Sequence, residues 1–301
     1  MKELLILSGK GGTGKTSITA AFAALATNMI MCDADVDAAD LHLLMNPAPQ
    51  IINDFKGGNL AVINADKCIQ CGICRDLCRF EAINEDFQID AISCEGCGVC
   101  VDLCPENAID FPQQTCGRWF ISEAKYGPMV HARLGIAEEN SGRLVALIRQ
   151  QASELAKKEN KELIITDGPP GVGCPVIASL NGVAAVVIVA EPTVSGLHDM
   201  KRVAQLAAHF KIQGMVCVNK YDLNPGKTKE IEDFAKEKNI QVLGRIPFDA
   251  AFTKAMIQGQ NIFEYDETMD VCHAVKSIWE SIMASDAMNN MGIIDFRKII
   301  S

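Results

Sequence analysis

No stretch of this chain is long and apolar enough to span a membrane. The longest uninterrupted apolar run, Val183 to Ala190, falls far short of the roughly 20 residues that a bilayer core requires. No secretory leader is expected either, because Met1-Lys2-Glu3 passes straight into Leu4 to Leu7 without an apolar h-region. These absences predict a cytoplasmic protein with no membrane partner. Clusters of Lys and Arg are also lacking, and the formal net charge is −10 at pH 7. Binding to nucleic-acid phosphates needs such clusters, so nucleic acid is not expected as a partner. The five histidines, His42, His131, His198, His209 and His273, show no paired ligand spacing and read as structural.

What is present begins at Ser8-Gly9-Lys10-Gly11-Gly12-Thr13-Gly14-Lys15-Thr16. Leu4 to Leu7 reads as a strand before it and Ser17 to Ala26 as a helix after it. The stretch fits two fingerprints. Gly9-x-Gly11-x-x-Gly14, with Asp33 downstream, suits a dinucleotide turn; Gly9-x4-Gly14-Lys15-Thr16 suits a phosphate loop. A dinucleotide turn has no use for Lys15 and Thr16. In a phosphate loop Lys15 reaches the β- and γ-phosphates, Thr16 binds Mg²⁺, and the backbone from Gly11 and Gly12 through Thr13 and Gly14 to Ser17 cradles the phosphates. A second acid decides the matter. Leu163-Ile164-Ile165-Thr166-Asp167 is an apolar strand ending in Asp, followed by the turn Gly168-Pro169-Pro170-Gly171. Asp167 is placed near Mg²⁺ through water, and the turn is placed to sense the γ-phosphate. ATP hydrolysis is the expected class of activity.

A second strand, Asn28 to Cys32, ends in Asp33-Ala34-Asp35-Val36-Asp37. Lys10 inside the loop, with Asp-x-Asp on the next strand, resembles the deviant Walker A family of MinD, ParA, Mrp-type ATPases and the nitrogenase iron protein. The resemblance covers nearly the whole chain. It implies a doubly wound, mostly parallel α/β sheet and a dimer of two copies or of close paralogues. It implies that Lys10 crosses the dimer interface to the partner's nucleotide, that Asp35 orients the hydrolytic water, and that Asp33 is an outer-shell Mg²⁺ contact. It also implies that Asn219 and Pro247, at the ends of later strands, contact adenine.

The chain holds 13 cysteines, eight of them in two runs. Cys68-x2-Cys71-x2-Cys74-x3-Cys78 is followed by Cys94-x2-Cys97-x2-Cys100-x3-Cys104, and Cys94 lies 26 residues after Cys68. With no export signal, metal ligation is the better reading than a disulfide framework. Three thiolates on one tight loop suit a cubane, and the fourth ligates the other cluster. The sets are therefore Cys68, Cys71, Cys74 with Cys104, and Cys94, Cys97, Cys100 with Cys78. Zinc is the rival, although it usually takes separated Cys pairs. Residues 60–112 resemble a bacterial ferredoxin with two [4Fe–4S] clusters, except that Arg79 stands where a proline is expected.

The organisation expected is an ATPase domain over 1–59 and 113–284, an inserted α+β ferredoxin-like module over 60–112, and a tail from 285 to 301. Strands are expected at Arg118 to Ala124, Met129 to Leu134, Val183 to Ala190 and Gly214 to Val218. Helices are expected from Arg143 to about Asn160, up to His209, and from Thr268 to Ala284. Cys32, Cys217 and Cys272 read as core. Cys174 reads as a buried structural thiol, although a cysteine at its offset helps bridge a dimer in the nitrogenase iron protein; Cys116 would be its only nearby partner. Glu139 and Asn140 match a segment of ferredoxin-bearing members of the ATPase family. The tail, with Ile293, Ile294, Phe296, Arg297, Lys298, Ile299 and Ile300, reads as edge packing rather than an anchor. The function expected is a nucleotide-gated dimer passing electrons through its clusters to a partner redox or metallocofactor protein. The alternative is an ATP-dependent scaffold for iron–sulfur or other metal cofactors.

Overall fold

The computed structural model describes residues 1–135 and 141–289. Glu139, Asn140 and the apolar tail residues lie outside these. The chain forms two compact units. The first is built from Met1–Ile52, Phe120–Ala132 and the described chain from Ser141 onward; the second is built from Asn53–Trp119 and the residues that follow Ala132 up to Gly135.

The strands in chain order are β1 (Lys2–Ser8), β2 (Met29–Asp33), β3 (Ala48–Asn59), β4 (Val62–Ile63), β5 (Ile109–Asp110), β6 (Gln113–Ala124), β7 (Gly127–Leu134), β8 (Leu163–Pro170), β9 (Ala185–Ala190), β10 (Gln213–Asn219) and β11 (Gln241–Ile246). Nine form one sheet in the order β11-β10-β9-β1-β8-β2-β7-β6-β3. The pairings from β11 through to β7 are parallel. Strand β1 shows why its sequence is a continuous apolar run. Leu4 and Ile6 pack into one buried cluster with Phe22, Met31 and Trp279, while Leu5 and Leu7 pack into another with Val186, Val203 and Val218. Alternate residues face opposite sides of a strand, so a strand covered on both faces has no place for polar alternation. Register then sets the site, because Asp33 on β2 lies opposite Asp167 on β8 at the carboxyl ends of adjacent strands.

A largely buried ion pair ties elements of this unit together. Arg149, on the helix Ser141–Lys158, donates to Glu3 of β1 through Nε and Nη2 at 2.8 and 2.7 Å. Its Nη1 and Nη2 also reach the carbonyls of Ala178 and Asn181. Removing one partner strands the other charge. Arg149→Met is expected to cost about 3–5 kcal/mol in thermal or denaturant unfolding, and Arg149→Met with Glu3→Gln to recover part of that. A single-variant loss below about 1 kcal/mol would show that the pair does not hold the unit.

In the second unit β4 and β5 pair antiparallel, with Ile63 opposite Ile109. Short helices at Ile73–Leu77 and Val99–Asp102 follow Gly72 and Gly98, both left-handed at φ 83° and 77°. The 26-residue repeat is written into the backbone as well. Positive φ recurs at Gln70 and Gly96 (57° and 59°) and at Glu81 and Asn107 (52° and 47°). The repeat is not free to drift at Gly96, where a Cβ would stand 2.3 Å from the carbonyl oxygen of Asn59.

Several elements differ from expectation. Strand β3 was not anticipated, the compact second unit is wider than 60–112, β9 begins at Ala185, and the last long helix is Asp270–Met283. No helix among the described residues is long and apolar enough to cross a membrane.

Candidate functional site

The phosphate-loop motif lies between β1 and the helix Lys15–Leu25. Gly12 and Gly14 are left-handed, at φ 79° and 89°, which a side chain would resist. At Gly14 space also matters, since a Cβ would come within 2.5 Å of Asn219 Nδ2. At Gly11 and Gly12 a Cβ would meet nothing within 4 Å, so the loop faces open space. No side chain caps the helix start at Gly14. The first-turn N–H groups are therefore available to an anion.

Three carboxylates and one lysine meet below the loop. Lys15 is only 5% exposed. Its Nζ lies 2.8 Å from Asp167 Oδ1 and 3.3 Å from Asp35 Oδ2. Burial alone would depress its ammonium, but Asp167, Asp35 and Asp33 together hold its pKa above the ordinary value. The Thr16 hydroxyl donates to Asp167 Oδ2 at 2.8 Å, and Thr19 Oγ1 lies 2.9 Å from Asp167 Oδ1. Burial pushes the Asp33 carboxyl well up, its register neighbour Asp167 pushes it further, and Lys15 offsets part of this. Asp35 is raised by the same burial, with Lys15 as the main opposing charge.

Asp33 Oδ2, Asp35 Oδ1 and Thr13 Oγ1 are buried with no hydrogen-bond partner among the described residues. Orphaned polar atoms are costly and call for an explanation. These two carboxylate oxygens and the Thr13 hydroxyl, with the Thr16 hydroxyl on the same helix start, form a hard-oxygen donor set beside an open helix N-terminus. They fit hydrated Mg²⁺ carrying phosphate.

These groups open into a cavity whose lining includes Gly11, Gly12, Thr13, Gly14, Lys15, Thr16, Ser17 and Asp35 together with Asn219, Pro247 and Phe252. The structure thus brings the phosphate residues and both expected base contacts to one cavity. Asn219 is buried, and its Nδ2 donates to the Thr13 carbonyl at 2.8 Å, so its amide also braces the loop. Lys10 stands apart from the acids. Its Nζ lies 3.1 Å from Glu191 Oε2 and 3.1 Å from Ser195 Oγ. The sequence reading missed Glu191 and Lys220. Lys220 Nζ reaches Glu191 Oε1 at 3.0 Å and the Gly12 carbonyl at 3.1 Å. Burial would raise the Glu191 carboxyl, but Lys220 and Lys10 hold it below its usual value. Both residues stand just past strand ends facing the loop, a position from which their role was open to inference.

The eight repeat cysteines divide between two cavities in the second unit. One is lined by Cys68, Cys71, Cys74 and Cys104, with Ile63 and Phe87. The other is lined by Cys78, Cys94, Cys97 and Cys100, with Ile83 and Phe111. Ala108 N–H donates to Cys104 Sγ at 3.3 Å. Among the described residues no group of three or more His, Cys, Asp or Glu is drawn close enough to hold a single metal ion.

Cys32, Cys217 and Cys272 are buried as expected. Cys174 is not: it is exposed. It is the first residue of the short helix Cys174–Leu180, which buries Val176, Ser179 and Leu180 instead. Cys116 is buried.

Comparison with known proteins bears on this arrangement. Residues 4–262 match the CobQ/CobB/MinD/ParA nucleotide binding domain. An uncharacterized protein of Methanocaldococcus jannaschii is 33% identical over 288 residues, covering 93% of this chain and 96% of its own length. The septum site-determining protein MinD of Buchnera aphidicola subsp. Baizongia pistaciae is 22% identical, covering 85% of this chain and 82% of its own. Among solved structures, the MinD protein of Pyrococcus horikoshii complexed with Mg-ADP superposes with a TM-score of 0.58 at 15% identity, over 93% of this chain and 95% of that one. At that identity the likeness speaks for the fold. The family match covers the loop, both strand-end acids and the lining residues Asn219 and Pro247, and the chain belongs to the CobQ/CobB/MinD/ParA family of nucleotide-binding P-loop proteins.

Proposed function

We propose that this protein binds and hydrolyses ATP with Mg²⁺ and, by opening and closing a dimer, couples hydrolysis to electron transfer through two [4Fe–4S] clusters. The dimer joins two copies or close paralogues, and electrons pass to or from a redox or metallocofactor protein. The observation that carries the reading is the sorting of eight cysteines into two cavities of four, in a chain that also holds a nucleotide site.

At the nucleotide, Lys15 exchanges its bonds to Asp167 and Asp35 for phosphate oxygens, and the first-turn N–H groups hold the rest of the triphosphate. Thr16 would hold Mg²⁺ directly, with Asp33 and Asp167 bonding its waters. Asp35, released from Lys15, has an oxygen with which to orient the attacking water. In the second unit Cys68, Cys71, Cys74 and Cys104 would hold one cluster and Cys94, Cys97, Cys100 and Cys78 the other. When bound, the clusters supply one-electron oxidation and reduction. Zinc fits less well, because it would need its four thiolates converged on one ion.

Lys10 is the residue for the partner's nucleotide. Its pair with Glu191 is partly solvent-exposed, with the lysine side chain 32% accessible. Such a pair contributes about 0–1 kcal/mol, so releasing it toward a phosphate costs little. Lys10→Ala is expected to keep MgATP binding while steady-state hydrolysis falls roughly a thousandfold. Normal turnover in that variant rejects the role. For the coupling itself, cluster potentials and electron delivery are measured with and without MgATP on anaerobically prepared protein. Identical values in both states overturn it.

A second reading, an ATP-dependent scaffold that assembles or delivers clusters, is favoured by the exposure of Cys71 and Cys97, one in each quartet. Transfer of iron and sulfide to an apo-acceptor supports the scaffold. Clusters that survive a chelator and change only their redox state exclude it.

A further inference from the structure

An ammonium has three N–H donors. In the single chain Lys10 Nζ has an acceptor for each: Glu191 Oε2 at 3.1 Å, Ser195 Oγ at 3.1 Å and Thr193 Oγ1 at 3.4 Å. All three come from one short stretch, Glu191 to Ser195, where β9 passes into the helix Val194–His209. That stretch is tightly shaped. The Thr193 N–H donates to the Glu191 carbonyl at 2.8 Å, and the Thr193 hydroxyl caps the helix by accepting the Gly196 N–H at 2.9 Å. A Cβ at Gly196 would stand 2.2 Å from the Glu191 carbonyl oxygen. The phosphate loop is seated on the same helix, since a Cβ at Gly9 would stand 2.2 Å from the Cβ of Asp199. Strand order explains the meeting. Strand β9 lies between β1 and β10, so Glu191 at its carboxyl end faces the lysines that follow both neighbours. One of its oxygens takes Lys10 and the other takes Lys220, which in turn holds the Gly12 carbonyl.

All three donors are spent, so Lys10 reaches a phosphate on another chain only by giving contacts up. Whatever stabilises the open chain opposes closure by the same free energy. A single ion pair of this exposure changes an equilibrium by a factor of up to about five. A two-fold dimer releases two such pairs at once, so the factors multiply. We propose that Glu191 is a positioning residue that restrains Lys10 in the single chain and thereby sets the protein concentration at which nucleotide closes the dimer. The role rests on reading Lys10 as the lysine for the partner's nucleotide, and adds to it a restraint that closure must release.

The test measures dimerisation of the full chain by sedimentation velocity with MgAMPPNP, an ATP analogue that is not turned over. Glu191→Gln keeps the shape and removes the charge. Ser195→Ala takes one acceptor from Lys10 and leaves Lys220 its carboxylate, so it serves even where Glu191→Gln fails to fold. Glu191→Gln is expected to lower the dimer Kd roughly 3- to 25-fold, and Ser195→Ala to lower it by a smaller factor. In a Lys10→Ala background neither substitution is expected to shift the Kd further, because no lysine is left to restrain. An unchanged Kd in both variants, a weaker dimer, or a shift of equal size with and without Lys10 overturns the restraint. Where Lys10→Ala has still lost hydrolysis, that result leaves the reading of Lys10 standing. If Lys10→Ala dimerises and hydrolyses ATP as the parent protein does, or no variant dimerises with the analogue, both fall together.

Discussion

Replacing Lys15 by methionine is expected to lower MgATP affinity at least about a hundredfold and to make the nucleotide-free protein lose stability more steeply as pH rises. The first effect follows from removing a buried cation from a phosphate site, a truncation that costs about 2–5 kcal/mol. The second follows from what Lys15 touches before nucleotide arrives. Its Nζ is held by Asp167 and Asp35, and it is the main charge opposing the rise of the Asp35 carboxyl. Asp33 and Asp35 are already raised by burial, so above the ordinary carboxylate range near pH 4 the folded protein binds protons that the unfolded chain has released. Stability then falls as pH rises through that interval. Without Lys15 the two carboxyls rise further and the fall steepens. Melting temperatures at about pH 5 and about pH 8 check this, with Lys15→Met close to the parent protein at the acid end and well below it at the alkaline end. Curves that run parallel would show that Lys15 does not compensate the acids.

The parts of the fold that were legible in the sequence are those that burial dictates. Leu4 to Leu7 reads as a strand because both faces of β1 are covered. Asp167 reads as a site acid because a fully apolar run leaves an acid at its end little other purpose. Strand β3 was invisible for the converse reason. Ala48 to Ile52 are all exposed at the sheet edge, so nothing selects an alternating pattern there, and Pro49, Asp54, Gly57 and Gly58 disfavour a strand locally. Cys174 misled through a tendency of residue type, since free cysteine is commonly buried, whereas its position was set by a helix start. Glu191 and Lys220 lie far from Lys10 in sequence, and only the order of β10, β9 and β1 makes them neighbours of the loop. The cysteine repeat was legible because spacing alone encodes it, and the matching backbone conformations at Gln70 and Gly96 follow the same period.

Substituting Cys104 by alanine is expected to empty the cavity of the first cysteine run, although Cys104 belongs to the second run. That cavity gathers Cys104 with Cys68, Cys71 and Cys74, while Cys78 has crossed to the other. Iron and acid-labile sulfide in anaerobically reconstituted protein should fall from about eight to about four of each per chain. A single variant cannot tell which cluster left, but pairs of variants can, because losses within one unit do not add whereas losses in independent units do. Cys104→Ala with Cys68→Ala should retain about four irons, no fewer than either alone. Cys104→Ala with Cys94→Ala should retain almost none. Ligation confined to each run predicts the reverse, with the first pair empty and the second half loaded. All three sites avoid Cys74, the buried member of its quartet, whose loss would remove packing against Ile83 and Ile109 as well as a ligand. Reversal of the two double-variant counts would therefore indict the crossed ligand sets themselves rather than the folding of the unit.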